Sequence, residues 1–280
     1  FLHFKQEADV SVAGDFNRWS SRDWPAARMG ETWMWIREAT FPTDARLDYK
    51  FVTNGGMTWS LDPVNPRTQW GGFGPNSELR MPDYTPSLFV ERMDGRANGS
   101  HSQNRTIAST ALGYPVSYRV YTPPGYESGL SALPVVYVTD GHEYADDRLG
   151  AMRVVLDNLI ADGLIVPVMA VFSDPRVGSE NRRGSQYVRN PDFASFVADE
   201  LVPEIDANYR TWPHRDGRAI LGTSLGGLNS AYFGATRPET FRNIAIQSPS
   251  FSGRVSEPAV PCTMHSASYT QLTLPTIHPA

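Results

Sequence analysis

Over residues 1–86, short apolar-rich runs are separated by turn residues. Val10-Ser11-Val12-Ala13-Gly14, Trp33-Met34-Trp35-Ile36 and Leu47-Asp48-Tyr49-Lys50-Phe51-Val52 read as strands. Asn54-Gly55-Gly56 predicts a hairpin, because Asn and Gly tolerate the positive φ of tight turns. Leu61-Asp62-Pro63 and the glycine-rich stretch from Gly71 to Asn76 read as loops. Closely spaced strands with no helical period predict an all-β sandwich. Residues 87–113 include Arg96-Ala97-Asn98-Gly99-Ser100-His101-Ser102; they are polar, lack a period and read as a connector.

From Tyr114 strands alternate with helices. Val116 to Tyr121, Val135-Val136-Tyr137-Val138, Val166 to Phe172, Arg218 to Gly222 and Asn243 to Gln247 read as buried strands. Residues 148–162 carry Met152, Val155, Leu156, Leu159 and Ile160 on one helical face. Asn190-Pro191 starts a second helix as cap and first-turn proline, with Phe193, Phe196, Val197 and Leu201 facing inward. Leu225 to Ala235 predicts a third. This alternation predicts a mostly parallel sheet covered by helices on both faces over residues 114–251. Residues 252–280 show neither period and read as an aperiodic tail, frame-shifted or non-native, so the second domain is expected to be C-terminally incomplete.

Composition narrows the classes. At 280 residues the chain is long enough for about two domains. Its 40% hydrophobic and 20% charged residues suit packed cores rather than a disordered tail. A formal net charge of −5 argues against nucleic acid or an anionic membrane as partner. The one cysteine, Cys262, cannot form an internal disulfide, and no Cys/His cluster has metal spacing, so neither metal nor cofactor is expected. Cytoplasmic and secreted locations stay open, since the chain opens on Phe1 inside a strand-like run.

The chemistry is concentrated at Ile220-Leu221-Gly222-Thr223-Ser224-Leu225-Gly226-Gly227. A Gly-x-Ser-x-Gly-Gly run between strand and helix predicts a sharp, strained turn that projects Ser224 Oγ at the carboxyl end of the sheet. A helix N-terminus there favours developing negative charge. Ser224 is the expected nucleophile. The Leu225 amide is one expected oxyanion donor, and the Gly141 or His142 amide, in the loop after Val138, is the second. The bland alternative for that loop is an ordinary turn with Asp140 as helix cap. Arg182 and Arg183 read as solvated loop arginines or as contacts for an anionic substrate.

These stretches, with Glu200-Leu201-Val202-Pro203 and Gln247-Ser248-Pro249-Ser250-Phe251, resemble the putative-esterase family of enterochelin, feruloyl and acetylxylan esterases, the motif order being closest to the enterochelin-esterase-like branch. The resemblance implies an α/β-hydrolase that cleaves carboxylic esters through a Ser…Asp…His triad, with acid and histidine downstream of the serine. No Asp follows Asp216. Glu239, Glu257, His265 and His278 are the only acids and histidines after Ser224; Glu239 reads as a surface residue, and neither histidine sits in a strand-end loop. Residues 1–280 are therefore expected to be a poor enzyme.

Val12-Ala13-Gly14-Asp15-Phe16-Asn17-Arg18-Trp19, Leu47 to Phe51, Trp59 to Pro63 and Asn76 resemble early-set immunoglobulin-like modules of the glycogen-binding type. That resemblance implies sugar stacking on Trp19 and Trp59 and hydrogen bonds from Lys50 and Asn76. Trp33 and Trp35 read as core or interface instead. The substrate expected is a small-molecule or polysaccharide ester, either a siderophore trilactone or feruloyl or acetyl groups on xylan. A non-catalytic carbohydrate-binding protein and an acyltransferase remain as other readings.

Overall fold

The computed structural model describes residues 1–5 and 7–251. Two compact units divide the chain, Phe1–Leu88 and Phe89 onward. The first unit is built from two antiparallel sheets. Val10–Gly14, Arg46–Thr53, Thr58–Ser60, Thr68–Gly71 and Gly74–Arg80 form one of five strands; Leu2–Phe4, Met34–Ile36 and Ala27–Arg28 form the other. Val10, Val12, Tyr49 and Phe51 project from one face of the larger sheet and pack with Phe16, Trp35 and Leu79. Trp35 thus belongs to the core, while Trp33 is 59% exposed. The Asn54–Gly56 turn has Asn54 at φ 55° and Gly55 at φ 63°, and it reverses the chain from Arg46–Thr53 into Thr58–Ser60.

In the second unit a seven-stranded sheet runs in the order Arg105–Ala108, Pro115–Thr122, Met169–Asp174, Val135–Val138, Arg218–Thr223, Asn243–Gln247, with Ser100–His101 also on Pro115–Thr122. The expectation of a mostly parallel sheet needs correction. The four strands from Met169–Asp174 to Asn243–Gln247 are parallel, but the other three pair antiparallel. For Arg105–Ala108 and Pro115–Thr122 the reason is loop length: the few residues between Ala108 and Pro115 allow a hairpin and cannot hold a crossover. The stretch read as a connector therefore supplies two strands of this sheet.

Alternate residues of the inner strands face opposite cores. Val135, Tyr137, Val171 and Ile220 pack under the helical region 191–208 and the Leu225–Thr236 helix, with Phe193, Phe196, Leu201 and Phe233. Val136, Val138, Ala170, Phe172 and Leu221 pack under Met152–Ala161 with Leu156. Asn190 caps its helix as expected, its Oδ1 accepting the Asp192 and Phe193 N–H groups. The Met152–Ala161 helix departs from the sequence pattern, because Asp157 and Asn158 are buried beside Leu156. Asp157 Oδ1 accepts the Tyr121 hydroxyl at 2.7 Å and the Gly99 N–H at 2.8 Å, and Asn158 donates to the Phe89 and Glu91 carbonyls. Residues 89–99 are strapped over that helix by these bonds, so its second side is covered as well. Among the described residues no helix is long and apolar enough to cross a membrane.

Candidate active site

Ser224 stands where the Arg218–Thr223 strand turns into the Leu225–Thr236 helix, with φ 56° and ψ −117°. A non-glycine residue there carries strain of about 1–3 kcal/mol, held only when its surroundings over-determine it. Here they do. The Ser224 N–H donates to the Gln247 carbonyl at 3.0 Å, and the Ser250 N–H donates to the Ser224 carbonyl at 3.0 Å. The turn is tight enough that a Cβ on Gly222 would lie 2.3 Å from the Gly226 carbonyl oxygen and from Thr139 Oγ1. Only glycine fits at that approach. Ser224 Oγ lies 2.9 Å from Ser250 Oγ. Among the described residues no histidine hydrogen-bonds to it. Glu239 is exposed near the end of the helix; Glu257, His265 and His278 lie outside the described residues.

Leu225 begins its helix, so its N–H has no intrahelical acceptor and lies beside the serine. Gly141 and His142 begin the short Gly141–Tyr144 helix, at the same carboxyl edge and one strand away. Their N–H groups lack intrahelical acceptors for the same reason. Gly141 is required by packing more than by substrate access, since a Cβ there would lie 2.3 Å from the Phe172 backbone. The His142 ring is half-buried, with Nδ1 3.6 Å from Asp174 Oδ1. Burial pushes its pKa down, against Asp174, so it is neutral at neutral pH. It lines a cavity of about 370 Å³ with Arg119, Asp146, Asp174 and Arg176.

Asp140 does not cap the helix it precedes. Its φ is 52°, its side chain is fully buried, and both carboxylate oxygens lie 2.9 Å from Arg183 Nε. Arg183 Nη2 also donates to the Thr223 carbonyl at 3.2 Å, and the Asp140 N–H donates to Tyr187 Oη at 2.8 Å. Arg183 is therefore an internal contact on the Arg183–Tyr187 helix rather than a solvated loop arginine. Arg182 pairs with Glu180 and lies over the Tyr114 ring at 4.2 Å. Sequence spacing hid the Asp140–Arg183 pair, as it joins residues 43 positions apart.

In the first unit, strand register puts Lys50, Trp59 and Asn76 on one sheet face: Val52 is opposite Trp59, and Asp48 is opposite Glu78. Asn76 Nδ2 donates to Asp48 Oδ2 at 3.3 Å. Trp59 is 41% exposed, its indole N–H on the Gly56 carbonyl. Trp19 lies in the loop after Val10–Gly14, with its indole N–H on Asp15 Oδ1. Asp15 Oδ2 in turn accepts the Asp48 N–H.

A sheet with helices on both faces and a strained serine at a strand-to-helix turn is an α/β-hydrolase-like arrangement. Residues 109–271 match the family described as "Putative esterase", more than half of the chain, and the chain belongs to that family. The endo-1,4-β-xylanase/feruloyl esterase of Xylanibacter ruminicola is 27% identical over 226 residues, covering 76% of this chain and 30% of that protein. An esterase of Mycobacterium tuberculosis is 28% identical over 156 residues, 53% of this chain and 34% of that protein. The chain thus spans about a third of the length of these curated relatives. The crystal structure of ferric enterobactin esterase from Salmonella typhimurium superposes with a TM-score of 0.73 at 21% identity, covering 90% of this chain and 71% of that one. At that identity the likeness is one of fold.

Proposed function

We propose that this chain is a serine esterase acting on carboxylic esters. The observation that carries the reading is the strained backbone of Ser224 at the head of its helix. In this reading Ser224 Oγ attacks the ester carbonyl carbon, and the Leu225 amide with the Gly141 or His142 amide receives the oxyanion. The alcohol leaves with a proton, and water then hydrolyses the acyl-enzyme and restores the serine. Ser224→Ala is expected to lower hydrolysis of p-nitrophenyl acetate by at least about 10²-fold with the fold intact. A folded variant with undiminished turnover would overturn the reading.

The substrate class we propose is an ester carried on plant polysaccharide. Support comes from sequence similarity to the Xylanibacter ruminicola feruloyl esterase over 76% of the chain. A siderophore trilactone is the alternative, supported by the fold likeness to enterobactin esterase. A second reading concerns the first unit, whose two antiparallel sheets suit an immunoglobulin-like module. Lys50, Trp59 and Asn76 on one face, with Trp19 tied to that face through Asp15, suit the stacking and hydrogen bonding of a glycan.

A further inference from the structure

We propose that Arg183 is a positioning residue whose guanidinium holds the oxyanion-donor turn at Asp140–His142 in register with the nucleophile turn at Thr223–Leu225; this rests on the serine-esterase reading above. Val138 and Leu221 are paired across neighbouring parallel strands, so the two turns leave the sheet side by side. They touch: Cβ atoms on Gly222 and Gly226 would lie 2.3 and 2.4 Å from Thr139 Oγ1. One guanidinium bridges both turns, with Nε on the Asp140 carboxylate and Nη2 on the carbonyl that precedes the serine. The Arg183–Tyr187 helix grips the first turn twice, since Tyr187 Oη accepts the Asp140 N–H.

The chemistry of that grip is specific. The Asp140 side chain has no exposure to water, and Arg183 is the cation paired with it. Removing the cation would leave a buried carboxylate that must take up a proton or swing out. Either change moves the Gly141 and His142 amides, which directly follow a left-handed residue with no slack. Oxyanion donors act only when they sit within about 2.7–3.1 Å of the developing charge. A misplacement of about 1 Å costs on the order of 10²-fold in rate. Arg183 itself need not touch substrate for this to hold.

The test compares wild type with Arg183→Gln, Arg183→Lys and the double variant Arg183→Gln/Asp140→Asn. Turnover of p-nitrophenyl acetate, thermal melting and crystal structures are the readouts, with Ser224→Ala as control. Arg183→Gln is expected to lower kcat by about 10–10²-fold with KM within about twofold. Arg183→Lys keeps the charge without the fork and should be intermediate. In the double variant the neutral amide no longer needs a cation, so part of kcat should return. The crystal structures should show the Gly141 and Leu225 amide nitrogens shifted relative to one another in Arg183→Gln and restored in the double variant. Where Arg183→Gln does not fold, Arg183→Lys and the double variant carry the same comparison. Unchanged kcat, an effect confined to KM, or an unchanged amide separation would each overturn the proposal. An active Ser224→Ala protein would instead remove the serine reading; an inactive one beside a normal Arg183→Gln would remove only the role of Arg183.

Discussion

At the scale of single residues, the turn at Ser224 is a strain held by its neighbours. Hydrogen bonds from Ser224 to Gln247 and from Ser250 to Ser224 fix both sides of the serine, and glycine at 222 lets the helix pack onto the strand. Asp140 is the second special residue, and it has a measurable signature. Burial lifts its carboxyl to about 6, although Arg183 pulls the other way. The ordinary value is about 3.9. Between these values the folded protein keeps a proton that the unfolded chain has released. The group therefore contributes stability that is complete below about pH 4 and lost as pH rises through 6. Urea unfolding should show wild-type stability, relative to Asp140→Asn, falling by up to about 3 kcal/mol between pH 4 and 7. A flat or rising difference would contradict this environment for Asp140. The serine turn was legible because Gly222, Ser224, Gly226 and Gly227 lie within six consecutive positions. The Asp140–Arg183 pair was not, because tertiary folding alone brings its members together.

At the scale of elements, long apolar runs were read well and short polar strands were not. The Arg46–Thr53, Val135–Val138, Arg218–Thr223 and Asn243–Gln247 strands fall where alternation or apolar runs placed them. Ser100–His101 and Arg105–Ala108 escaped, because edge strands with exposed polar side chains lack an apolar signal. The buried Asp157 and Asn158 also broke the helical pattern, since residues 89–99 turn the outer side of their helix into an interior. In the first unit the consequence of register is testable. If the face bearing Lys50, Trp59 and Asn76 binds glycan, Trp59→Ala removes a stacking platform worth about 0.5–1.5 kcal/mol and should weaken retention on xylan or α-glucan severalfold in affinity electrophoresis. Equal retention of wild type and variant would remove the glycan reading of that face.

At the scale of the whole molecule, the chain joins a unit of two antiparallel sheets to an esterase-family unit whose parallel strand Arg218–Thr223 ends at Ser224. The two signals of the second unit agree: the alternation of strands and helices and the serine turn both predict a sheet with its chemistry at the carboxyl edge. Substrate identity is carried by pocket shape and loop contacts, which no period in the chain encodes. The central claim, that Ser224 is the nucleophile, is tested most directly by covalent capture. Purified chain is incubated with a fluorophosphonate, digested and analysed by mass spectrometry. The account predicts one phosphonyl adduct on Ser224, absent after prior unfolding and absent from Ser224→Ala. An adduct on Ser250 in place of Ser224, or labelling that persists in Ser224→Ala, would contradict it.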